Sequence, residues 1–197
     1  MNVWNFPLRT AAMLLVLALA GCANVSKVAS GETVIRNRLA IQVDRDWNQF
    51  ERGLADDTPT WTTEGITIDA LQFYVGIKNG ELIAPTPKGG KGSVPLAFKS
   101  TMQAAEIVTL YQNLLTRDGS SFTLDKLDPA TFVGAPGFRF EYSLVRKIDD
   151  VRLRGVAWGA VYQGELFLIN YSAPRLGFFQ RSVGEVDQMV KTARIKS

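Results

Sequence analysis

The 197-residue sequence contains no histidine and only one cysteine, Cys22. The missing histidine removes the commonest metal ligand and the side chain that most often serves as acid or base near neutral pH. A single cysteine cannot close an intramolecular disulfide or build a thiolate metal site. Neither Ser-x-x-Lys nor Gly-x-Ser-x-Gly occurs, so the familiar nucleophile–base motifs are absent. Charge of one sign is scarce as well. The 22 basic and 19 acidic residues are spread evenly, which argues against a nucleic-acid-binding surface. The most apolar run, residues 11–20, is about half of the roughly 20 residues a helix needs to cross a bilayer.

What is present starts with that run. Residues 1–10 form a mildly basic head with Arg9, the apolar stretch follows, and no acid occurs before Glu32. A basic head, a short apolar run and small residues at its end make a secretory signal rather than a fold element. The run ends in Leu19-Ala20-Gly21-Cys22. This tetrad resembles the lipobox of bacterial lipoproteins. The resemblance implies cleavage between Gly21 and Cys22 and acylation of Cys22, with several acyl chains holding the protein firmly to a membrane. In Gram-negative lipoproteins a residue other than Asp after the cysteine, here Ala23, goes with the outer membrane, the domain facing the periplasm. On this reading residues 1–21 are the signal peptide, 22–33 a small, polar, flexible tether, and 34–197 one domain. The mature chain keeps 21 basic and 19 acidic residues, a net charge of +2. Without disulfides, its core alone must hold it.

Residues 34–43 alternate as a half-buried strand, with Leu39, Ile41 and Val43 on one face. Asp44, Asp46 and Asn48 begin like a calcium-binding EF-hand loop. Gln49 then replaces the turn glycine and Ala55 the bidentate acid, so a turn with Trp47 and Phe50 packing inward is the better reading. Asp56 to Pro59 reads as another turn. Residues 61–84 read as strands, with Leu71, Phe73, Val75 and Ile77 on one face. Asn79-Gly80 predicts a hairpin whose return strand begins at Leu82. Residues 85–95 are rich in Pro, Gly and Lys. They lack the Gly-x-x-x-x-Gly-Lys-Ser/Thr order of a phosphate loop, and Lys88 and Lys91 are candidates for contact with a partner or anionic head groups.

Residues 101–117 carry a helical stripe of Ala104, Ile107, Val108, Tyr111, Leu114 and Leu115, with Ser100 and Gln103 at capping-box spacing. A strand over 121–127 should end in a turn at Asp128-Pro129, and 138–145 is another strand. Next come strands 151–162 and 165–171, joined by Gln163-Gly164. A two-residue loop there pairs Tyr162 with Glu165 and Ala160 with Phe167. Val156, Trp158, Ala160, Phe167, Ile169 and Tyr171 then share one face, and Gly155, Ala157, Gly159, Val161, Leu166 and Leu168 the other. Both faces are apolar, so the pair is central and covered on both sides. The small residues fit either a closely packed layer or an apolar ligand groove, with Trp158, Tyr162, Phe167 and Tyr171 as candidate lining. A final helix ending near Ile195 has its stripe at Phe179, Val183, Val186, Val190 and Ala193, with Ser182 and Glu185 at capping-box spacing.

Short-connected strands and two amphipathic helices predict an α+β sandwich, an antiparallel sheet packed with two helices. From about Val34 to Ile195 the element order resembles the PsbP-like fold, named for an extrinsic subunit of the photosynthetic oxygen-evolving complex. That resemblance implies a binding or assembly module and transfers no functional residue. The expected function is a lipid-anchored, non-catalytic envelope protein that meets the membrane through Cys22 and an envelope protein partner, with no nucleic acid, metal or cofactor. The alternatives are a carrier or sensor of a small apolar ligand, and a hydrolase built on carboxylates such as Glu51, Glu64, Asp69 and Glu141.

Overall fold

The computed structural model describes residues 25–50, 58–86 and 94–196. The lipobox with Gly21 and Cys22, Lys88, Lys91 and Glu51 lie outside these residues. Strands β1 (Val25–Val28), β4 (Trp47–Phe50), β5 (Thr60–Thr62), β6 (Ala70–Ile77), β7 (Ser121–Phe132), β8 (Ala135–Val145), β9 (Arg152–Tyr162) and β10 (Glu165–Pro174) form one antiparallel sheet in the order β1-β4-β5-β6-β10-β9-β8-β7. A smaller sheet joins β2 (Gly31–Ile35), β3 (Leu39–Val43) and β11 (Arg194–Ile195) in the order β11-β3-β2. The two described helices are α1 (Ala104–Leu115) and α2 (Phe178–Lys191). Neither is long and apolar enough to cross a membrane.

The helices bury their stripes on opposite faces of the large sheet. α1 brings Ile107, Val108, Leu110 and Tyr111 against Tyr74, Phe138, Phe140, Tyr142 and Leu168. α2 brings Phe179, Val186, Met189 and Val190 between the large sheet (Phe73, Trp158, Phe167, Ile169) and the small one (Ile35, Leu39, Ile41). Each strand of the β6-β10-β9 centre therefore feeds two cores, and its side chains are apolar in both directions. The predicted α+β sandwich is present, with a second sheet that the sequence pattern did not reveal.

Several local expectations are corrected. Residues 22–33 are no flexible tether throughout: Val25–Val28 is strand β1, paired with β4, and β2 starts at Gly31. The predicted strand 34–43 is a hairpin that turns at Arg36-Asn37, both at positive φ (48° and 56°). The Asn79-Gly80 turn forms, but Leu82 meets Ala97 in a bridge rather than β6, because β5 and β10 already occupy both edges of β6. Ile77 leaves the face of Leu71, Phe73 and Val75. A bulge beside Gly76, at φ 68°, turns Ile77 toward the α1 core. Asp128-Pro129 is not a turn but part of β7, and the chain turns at Val133-Gly134 instead. Pro129 is tolerated because β7 is an edge strand with one side free of hydrogen bonds. At α1 the cap is Gln103, whose N–H donates to Glu106 Oε2 at 2.8 Å, rather than Ser100 with Gln103. Ser182 and Glu185 lie inside α2, which starts after Gly177, and residues 194–195 form β11.

Candidate functional site

The β9–β10 hairpin has the predicted register, with Tyr162 opposite Glu165 and Ala160 opposite Phe167. It lies in the middle of the large sheet, with Trp158, Phe167 and Tyr171 on the face that α2 covers. That location removes most of the candidate lining from reach. Phe167 and Tyr171 are 0% and 1% exposed, and Tyr171 stacks on Phe179 of α2 with ring centroids 5.8 Å apart. Burial pushes the Tyr171 phenol up to about 12. Tyr162 is half-buried beside the turn. The proposed apolar groove on the opposite face is filled by the protein's own rings. A Cβ on Gly155 would lie 2.0 Å from Tyr142 Cζ, and one on Gly159 would lie 2.5 Å from Phe138 Cζ. The glycines make room for aromatic side chains of β8, so the close-packed layer is what the hairpin builds.

Of these residues Trp158, itself buried, lies in the wall of a cleft. A cleft of about 380 Å³ lies between α2 and the β7–β8 half of the sheet, lined by Trp158, Thr131, Arg139, Asp187 and Lys191. The Arg139 guanidinium sits over the Trp158 ring, 5.5 Å from its centroid. A ladder of alternating charge runs from Arg139 along the same face of the sheet. Glu141 accepts from Arg139 Nη1 at 2.7 Å and from Arg154 Nη2 at 2.9 Å, and Asp187 lies 3.3 Å from Lys191 Nζ. Arg154 in turn lies over Phe179, 5.5 Å from the ring centroid. The ladder arises because the outward positions of β8 alternate with Phe138, Phe140 and Tyr142, which face α1. The alternation of Phe138, Phe140 and Tyr142 with Arg139, Glu141 and Ser143 is visible in the sequence itself.

Hydrogen bonding from Arg139, followed by the field of Arg139 and Arg154, holds the Glu141 carboxyl below the usual carboxylate range despite partial burial. A depressed folded-state value stabilises the protein above the unfolded value near 4.5, and this is lost as pH falls through the folded value. Glu141→Gln should therefore lower stability at pH 7 and flatten the loss of melting temperature between about pH 5 and pH 3. A melting series across that range, wild type against variant, checks both.

Among the described residues, the candidate acids Asp69 and Glu64 are also engaged in the fold. Asp69, 1% exposed, accepts from Thr63 N at 3.0 Å, Glu64 N at 2.8 Å and the hydroxyls of Thr62 and Thr63. Glu64 lies 3.6 Å from Arg181 Nη1. Glu185, inside α2, is partly buried with Oε1 2.7 Å from Arg45 Nε. Burial raises its carboxyl, and Arg45 opposes that rise. Arg45 also donates to Ser182 Oγ at 3.0 Å, so the pair ties the β3–β4 turn to the helix. Among the described residues no three Asp, Glu, Cys or His side chains group as metal ligands.

No family model and no curated protein matches the chain in sequence. Solved structures do match. The cyanobacterial PsbP protein CyanoP from Synechocystis sp. PCC 6803 superposes with a TM-score of 0.56 at 11% identity, over 90% of this chain and 96% of that one. The chain has the PsbP-like fold. LpqN of Mycobacterium tuberculosis, described as involved in cell envelope biogenesis, aligns with a TM-score of 0.35 at 9% identity, over 88% of this chain and 92% of that one.

Proposed function

We propose that this chain is a cell-envelope lipoprotein, anchored through acylated Cys22, whose PsbP-like domain is a non-catalytic binding or assembly module. The observation that carries this reading is where the polar and apolar side chains are used. Asp69, Glu64 and Glu141 are committed to loop or ladder contacts, Tyr142 and Phe138 fill the space over Gly155 and Gly159 on one face of the β9–β10 hairpin, and Phe179 covers Tyr171 on the other. What the described fold offers to other molecules is its surface: the charged cleft beside Trp158 and the loops at the sheet ends. In a Gram-negative cell, Ala23 favours the outer membrane with the domain facing the periplasm.

Two experiments test it. Cys22→Ala should move the protein from the membrane to the soluble fraction, and retention in the membrane would overturn the anchor. Crosslinking in cells, with and without the domain, should capture a specific envelope protein, and its absence would overturn the module reading. The cleft supports a second reading, a small ligand held over Trp158. Its Arg139, Asp187 and Lys191 make that wall charged rather than apolar. Native mass spectrometry of the protein from its own membrane would show such a ligand as an adduct.

A further inference from the structure

The two most exposed large apolar side chains among the described residues are Ile148 at 86% and Leu176 at 83%. They stand at one end of the large sheet. Ile148 is on the turn between β8 and β9, and Leu176 is on the connection from β10 to α2. Arg175 N donates to Arg152 O at 2.9 Å, which ties the connection to the turn. A cleft of about 390 Å³ lies between them, with Asp150, Arg152, Arg175 and Leu176 among its walls.

Ile148 is held in place rather than frayed. Arg146 clasps Asp149 through Nε–Oδ1 at 2.9 Å and Nη2–Oδ2 at 2.6 Å, and donates through Nη1 to Thr67 O at 2.9 Å. The turn is closed by Arg146 N to Val151 O at 3.0 Å and Asp150 N to Arg146 O at 2.9 Å. A pinned turn that leaves an isoleucine in water keeps an apolar group where the fold gains nothing from it. The charges around it are one-sided. Arg146 and Asp149 neutralise each other; Lys147 and Arg175 on the two loops and Arg152 at the start of β9 are basic, and only Asp150 on the loops remains acidic.

Two separated apolar tips in a basic surround match a lipid surface better than a protein groove. A protein partner would need a continuous desolvated core, whereas a bilayer interface accepts single side chains, and its anionic head groups attract the flanking cations. The anchor alone does not bring this tip to the bilayer. Cys22 lies three residues before β1, a reach of at most about 10 Å, so an acylated cysteine holds that edge of the sheet close to lipid. The register from β1 through β4, β5 and β6 to β10 points the Val25 end of β1 away from the β8–β9 turn, so the tip needs a contact of its own. We propose that Ile148, Leu176, Lys147, Arg152 and Arg175 form a second membrane contact that docks on anionic phospholipid and fixes how the domain sits on the bilayer. This rests on the anchor reading above.

The test uses the full chain purified from its own membrane. With Cys22 acylated, an introduced cysteine is the only free thiol. Leu176→Cys is labelled with an environment-sensitive dye, and Lys78→Cys, exposed just beyond β6 at the opposite end of the sheet, serves as the reference. Each is reconstituted into vesicles of phosphatidylcholine alone or with phosphatidylglycerol. The dye at 176 should shift to the blue and be quenched by spin-labelled lipid in the phosphatidylglycerol vesicles, and the dye at 78 should not. Arg152→Gln with Arg175→Gln should lower the docking equilibrium constant about fivefold per cation and reduce the docked fraction accordingly. Flotation reads the anchor separately. A chain that floats but keeps its 176 dye in water sinks the docking alone, and a chain that floats with neither vesicle sinks the anchor and the docking with it. A shift that requires an added envelope protein assigns the tip to a protein partner and overturns the proposal.

Discussion

Gly155→Ala is expected to destabilise the protein by about 3–5 kcal/mol, lowering its melting temperature by about 8–16 °C. The added Cβ would sit 2.0 Å from Tyr142 Cζ and 2.4 Å from its hydroxyl oxygen, inside the ring's van der Waals radius. The ring cannot step aside. It is 1% exposed, and Phe122 stacks on it at 5.0 Å while the edge of Tyr111 packs at 6.3 Å. Its hydroxyl donates to Asn170 Oδ1 at 2.9 Å, and burial pushes the phenol up to about 12, so it remains a neutral donor. Moving the ring therefore adds a broken buried hydrogen bond to the overpacking. Gly184→Ala is the matched control: a Cβ there meets nothing within 4 Å, and the site is exposed mid-helix, so the change should be neutral or stabilise by about 0.5–1 kcal/mol. Thermal melts of both variants decide the matter. If the loss is steric, Tyr142→Ala with Gly155→Ala should cost less than the sum of the single changes.

The same contact marks how far sequence reasoning reached. The register of β9 with β10 was legible because a two-residue loop at Gln163-Gly164, both at positive φ (50° and 80°), leaves one pairing open. The helices were legible because their stripes need a sheet to bury them. Strand order was not legible, since no local pattern says that β6 pairs with β10 rather than with the chain just after Asn79-Gly80. Long-range competition for the edges of β6 settles that. β1 was hidden because Val25 to Val28 is short and polar enough to pass for a linker, with only Val28 buried. At the site, the candidate aromatics were placed on the correct face, yet that face is the interior between the large sheet and α2. The Arg139–Glu141–Arg154 ladder depends on β8 and β9 lying side by side, with Ser143 opposite Arg154, so no window of the sequence contains it.

Asp69→Ala is expected to cost about 3–5 kcal/mol, because one buried carboxylate organises the whole loop between β5 and β6. The carboxylate accepts from two backbone N–H groups and two hydroxyls, and Thr62 Oγ1 relays it to Gly65 N at 2.8 Å. Alanine leaves these donors without an acceptor in a site that is 1% open to water. Asn is expected to rescue part of the loss. Its amide oxygen can keep the Oδ1 contacts from Glu64 N and the Thr62 hydroxyl, and its NH2 can donate to Thr63 Oγ1, a hydroxyl that accepts as well as donates, so the neutral amide loses mainly the charge and the closer contact from Thr63 N. The urea midpoint of both variants should fall with little change in slope. The consequence should extend beyond stability. Thr67 O, in the same loop, takes the hydrogen bond from Arg146 Nη1 that pins the turn carrying Ile148. Loosening the loop removes that anchor, so amide exchange in residues 146–151 should speed up in Asp69→Ala under conditions where the protein remains folded. Exchange there that matches the wild type would separate the two loops and leave the clasp of Arg146 on Asp149 as sufficient support for the tip.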